Sequence, residues 1–73
     1  MVTTFYATFG CGQPGYPGYL KVSVETNDSI AGSLSAELVA RRRVNEATGG
    51  KWCGLYRSLE DLHIGDRIYR GEA

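Results

Sequence analysis

Apolar and polar side chains alternate from Thr3 to Phe9, with Phe5, Ala7 and Phe9 on one side and Thr4, Tyr6 and Thr8 on the other. A period of two is that of a half-buried strand. The alternation returns from Tyr19 to Glu25, where Leu20, Val22 and Val24 fall inward and Lys21, Ser23 and Glu25 outward. Between these runs, residues 10 to 18 hold four glycines and both prolines of the chain, a composition that continues neither strand nor helix. The two strands are expected to pair as an antiparallel hairpin across this long loop.

The pattern then changes period. Thr26-Asn27-Asp28-Ser29 is a run of residues whose side-chain oxygens can cap a first helical turn. Ile30, Leu34 and Leu38 follow at intervals of four, with Ala31 beside them, predicting a helix that lays this stripe across the inner face of the sheet. Glu37 and Arg41 are spaced for an ion pair on that helix. Gly49 and Gly50 suit its left-handed end, which places Arg41 to Arg43 near the negative end of its dipole. Lys51 to Tyr56 reads as a third strand, with Trp52 and Tyr56 on one face and Cys53 and Leu55 on the other. Ser58 and Asp61 form a capping pair for a single helical turn over Leu59 to His63, broken at Gly65, and Asp66 to Arg70 reads as a short edge strand. The expected fold class is α+β: an antiparallel sheet of three to four strands with one helix packed on one face, in β-β-α-β order.

Composition narrows this picture. Seventy-three residues make room for a single domain, residues 1 to 73, whose small core is a thin source of stability unless self-association or a crosslink supplements it. Two cysteines, Cys11 and Cys53, are fewer than a small disulfide-dependent secreted domain usually carries, and residues 1 to 9 lack the pattern of a signal peptide. Two reduced thiols in a cytoplasmic protein are the expectation, with Cys53 a small buried apolar group. No run approaches the length of an apolar membrane helix, so no membrane partner is expected.

Thr4-Phe5-Tyr6-Ala7-Thr8-Phe9-Gly10, the Gly/Pro/Tyr loop with Gly18-Tyr19-Leu20-Lys21-Val22, and Gly50-Lys51-Trp52 with Tyr56 before Ser58-Leu59-Glu60-Asp61-Leu62-His63 carry a further signal. In these segments the chain resembles a family of small proteins encoded in bacteriophage and prophage genomes. The resemblance covers the start of the chain, the stretch after the helix and the region near the C-terminus. It implies a phage accessory product working in the bacterial host cytoplasm, and supplies no catalytic residue.

Chemistry-bearing motifs are few. Gly10-Cys11-Gly12-Gln13-Pro14-Gly15 matches the G-x-G-x-x-G pattern, but a dinucleotide fingerprint opens a helix at its third glycine, and here the chain leads into a strand. Cys11, Cys53 and His63 are scattered singly, without the paired spacing that nucleates a zinc site or the adjacent base that activates a thiol. Neither a metal, a cofactor nor a catalytic group is therefore expected. Net charge is zero, yet residues 41 to 57 sum to +4, a segment that could meet nucleic-acid phosphates. Tyr6 and Tyr19 belong to the sheet face away from the helix, where large amphipathic rings suit a protein contact. Tyr6, Tyr16, Tyr19, Arg41, Arg42 and Arg43 are the candidate partner-binding residues. The expected function is non-enzymatic binding of a host or phage protein, with a homodimer as a further expectation. Nucleic-acid binding through 41 to 57 is the less favoured alternative.

Overall fold

The structure, a computed structural model, describes residues 2–10, 17–25 and 30–73, the side chains of 30–34 excepted. The capping run at 26 to 29, most of the glycine-rich loop, Cys11 and Tyr16 lie outside the described residues.

β1 (Val2–Thr8) and β2 (Tyr19–Glu25) form the expected antiparallel hairpin, running from Val2 opposite Glu25 to Thr8 opposite Tyr19. α1 (Ile30–Thr48) follows, then β3 (Gly54–Tyr56) and β4 (Tyr69–Glu72), with two short 3₁₀ turns, Leu59–Asp61 and Ile64–Asp66, between the last two strands. The strand order is β3-β1-β2-β4. The class is α+β as expected, but the sheet is mixed: β3 pairs antiparallel with β1, whereas β4 pairs parallel with β2. A parallel neighbour requires a crossover connection, and this chain has two. One runs from β2 through α1 to β3, stepping over β1. The other runs from β3 through residues 57 to 68, here called the strap, to β4 at the far edge.

The two crossovers travel across the sheet in opposite directions. Connections of the same right hand that run oppositely lie on opposite faces, which predicts α1 on one face and the strap on the other. Burial agrees. Phe5, Ala7, Val22 and Val24 form one core cluster with Ala36, Ala40 and Val44 of α1. Thr8 and Tyr19, whose register turns them away from α1, are also buried, at 3% and 9% exposure, and so is Leu62 of the strap.

Of the expected inward stripe, Ile30, Ala31 and Leu34 have side chains outside the described ones, and Leu38 faces outward. Leu38 is 66% exposed, while Ala36, Ala40 and Val44 are buried. These three positions repeat every four residues, half a turn from Leu38, and two of them are alanines. Small side chains let the helix backbone approach the sheet closely, which a leucine stripe would prevent. The helix also runs further than the arginines imply. Arg41 to Arg43 sit in its penultimate turns, and its last turn holds no basic residue. Gly49 and Gly50 take the predicted left-handed conformation, at φ 66° and 83°, and the Gly50 N–H donates to Asn45 O at 3.1 Å.

Residues 51 to 53, expected to open the third strand, are irregular; pairing begins where the Cys53 N–H donates to Thr8 O at 2.7 Å. Because the strand starts late, Trp52 does not share a face with Tyr56. It packs against the α1 side of the core, with its indole N–H donating to Asn45 Oδ1. β4 begins at Tyr69, three residues later than expected, since the 3₁₀ turn at Ile64–Asp66 occupies its predicted start.

Candidate functional site

The sheet face opposite α1 carries one tyrosine from each strand. Tyr56 of β3 lies opposite Tyr6 of β1, and Tyr69 of β4 beside Tyr19 of β2. Tyr6 and Tyr19 bridge the hairpin diagonally: their ring centroids are 5.5 Å apart at an interplanar angle of 79°. Tyr19 and Tyr69 continue the row at 5.7 Å and 60°. Edge-to-face contacts of this kind favour the positive rim of one ring against the negative face of the next.

This row is not the open platform that alternation alone suggests, because its rings pack on one another. Tyr19 is buried and Tyr6 is half-buried, whereas Tyr56 and Tyr69 at the two edges remain accessible. The strap holds its course through its own polar contacts. Ser58 caps the first 3₁₀ turn by accepting from the Glu60 N–H at 3.2 Å, in keeping with the spacing of Ser58 and Asp61. Arg67 ties the strap together, donating from Nε to Leu62 O at 3.2 Å and from Nη2 to Glu60 O at 3.0 Å. Asp66 presses on the end of the hairpin, where a Cβ on Gly10 would stand 2.0 Å from its carboxylate oxygen. His63 is exposed at the N-cap position of the second turn.

This stretch exposes several large apolar side chains. Tyr56, Leu59, Ile64, Ile68 and Tyr69 are all exposed, Ile64 at 79% and Tyr69 at 55%, and elsewhere among the described residues only Val2 and Leu38 are comparable. Glu60, Asp61 and Asp66 interleave with them. Sequence pattern does not single out Tyr56 and Tyr69 from the other aromatics, and it passes over Leu59, Ile64 and Ile68. The available signal was their position in a segment too short and polar to bury several large side chains.

The arginine run divides its work. Arg41 forms the expected ion pair with Glu37 at 3.0 Å and lies 5.7 Å from the centroid of the Trp52 ring. Arg43 donates from Nη1 to Ser23 O at 2.8 Å, fastening α1 to β2. Arg42 is exposed. Two of the three guanidinium groups thus make contacts within the molecule.

Cys53 corrects another expectation. Instead of a small buried thiol, it is exposed and disulfide-bonded. The chain has one other cysteine, Cys11. Exposure of Cys53 follows from the late start of β3, which leaves residues 51 to 53 outside the regular sheet. Among the described residues no three His, Cys, Asp or Glu side chains are placed to hold a metal ion, and no helix is long and apolar enough to cross a membrane.

Comparison of the chain with known protein families, with curated proteins and with solved structures gave no match.

Proposed function

We propose that this chain is a non-enzymatic binding module that acts by protein–protein contact through the outer side of its strap and the tyrosines at its edges. The observation that carries the reading is the concentration of exposed large apolar side chains between Tyr56 and Tyr69. Such side chains scatter singly on an ordinary surface; gathered on one stretch and rimmed by polar groups, they mark a contact site. Tyr is also among the residues that most often dominate contact energies. Arg57, Glu60, Asp61, Asp66 and Arg67 among them supply a polar rim of both signs. The resemblance to phage-encoded proteins supports a bacterial host or defence protein as that partner, with inhibition by surface occupation as the effect. The bacterial host cytoplasm that the same resemblance implies is a reducing compartment, where disulfides seldom persist. The bond at Cys53 supports an oxidising one instead.

The test is capture of partners from bacterial lysate by the tagged protein, oxidised, with and without nuclease, beside an Ile64→Glu variant. A single protein that is retained after nuclease and lost with the variant is the expected result. Material lost to nuclease and indifferent to Ile64 would transfer the function to nucleic acid and the 41 to 57 segment.

A further inference from the structure

We propose that a second copy of this chain docks head to tail, the strap of one molecule on the outer face of α1 of the next. Each of these faces carries an exposed aliphatic side chain with a charge rim, and the rims are opposite in sign. On α1, Leu38 is 66% exposed, and Arg41 and Arg42 follow it by three and four positions, the spacing that puts side chains on one helix face. On the strap, Ile64 is 79% exposed and is flanked in sequence by Asp61 and Asp66. Arg41 also holds Glu37, so Arg42 supplies the uncommitted cation, and neither Asp61 nor Asp66 has a cation within ion-pair distance among the described residues. Residues 30 to 48 carry +1 and residues 57 to 68 carry −1, so the complementarity is local to Arg42 and Asp61, and copies join without accumulating charge.

Geometry sets the form of the assembly. The two faces lie on opposite sides of the sheet, so the contact joins different surfaces of the two partners and leaves one of each free at the ends. An arrangement of this type propagates into an open chain or closes into a ring; it does not stop at a two-fold dimer. The molecule measures 38 × 25 × 17 Å, so a contact of the roughly 800 Å² per partner typical of stable pairs would take up most of one broad side. The contact uses the strap surface proposed above, but it stands or falls without any foreign partner.

Sedimentation of the purified, oxidised protein across micromolar to millimolar concentration, at low and high salt, reads the outcome. Mass should rise past the dimer with concentration and fall back on adding salt. Arg42→Glu and Asp61→Arg should each weaken self-association at least tenfold. Mixing the two should restore it, since the exchanged charges meet across alternate contacts. Both positions are exposed, and circular dichroism confirms that the variants fold. A protein that remains monomeric throughout, a closed dimer that resists both substitutions, or a mixture that fails to recover would each overturn the proposal. Because no lysate is involved, failure here leaves partner capture by wild type and Ile64→Glu as an independent test of the binding function.

Discussion

Replacing Val44 by Ala and, separately, Leu38 by Gln tests which side of α1 faces the sheet. Val44 has no exposed surface and belongs to the main core cluster. Its truncation removes two methyl groups, roughly 1.6 kcal/mol of transfer free energy at about 0.8 kcal/mol per methylene. The residual cavity raises this to about 2–3 kcal/mol. A domain of this length has on the order of 4–11 kcal/mol to lose, so the melting temperature should fall by roughly 10–20 °C. Leu38→Gln exchanges one exposed side chain for another and should change stability by less than about 0.5 kcal/mol, or about 4 °C. Thermal melts followed by circular dichroism, repeated in urea to obtain midpoints at constant slope, give both numbers. If Leu38→Gln costs more than Val44→Ala, the helix is rotated half a turn from the orientation described, and Leu38 is lost as an anchor for a second copy.

Two other perturbations probe the remaining constraints. Loss of a native disulfide costs a small domain about 2–5 kcal/mol, and Cys53 is disulfide-bonded. Reduction, or Cys53→Ser, should therefore leave the domain near its folding limit; melts that coincide with and without reductant would refute a stabilising bond. Gly18 sits at φ 137°, and a Cβ there would come within 2.6 Å of the Arg70 side chain and 2.7 Å of Ile68 O. Gly18→Ala should cost about 1–3 kcal/mol and loosen β4 ahead of the hairpin. Hydrogen exchange on the Ala73 N–H, which donates to Lys21 O, reports that loosening, and unchanged protection would count against the close packing of β4 on β2.

Where local pattern decided the structure, the sequence was readable. The hairpin is specified by its alternation, the Glu37–Arg41 pair by spacing, the helix end by Gly49 and Gly50, and the first strap turn by Ser58. Reading failed where size or long-range placement decided. Leu38 looks inward from its spacing with Ile30 and Leu34, yet Arg41 and Arg42 follow it on that face, whereas Ala36 and Ala40 continue to Val44. Weighing closeness of approach above hydrophobicity would have chosen the second stripe. The parallel placement of β4 could not be read from a four-residue strand, since nothing local states which edge it joins. That placement sets Tyr69 against Tyr19, which is buried, and leaves Tyr69 itself exposed at the edge. Tyr16, the remaining candidate, lies outside the described residues.

The order β3-β1-β2-β4 also has a consequence for biosynthesis. The hairpin leaves the ribosome with both of its flanks unpaired, and each flank waits for a strand made only after α1. Early-formed structure therefore presents two open edges, the condition under which nascent chains add to one another rather than to themselves. Pairings so distant along the chain also form slowly. Yield on expression should depend on how long that interval lasts, so that slower growth temperatures or chaperone supply matter more for this small domain than its size suggests.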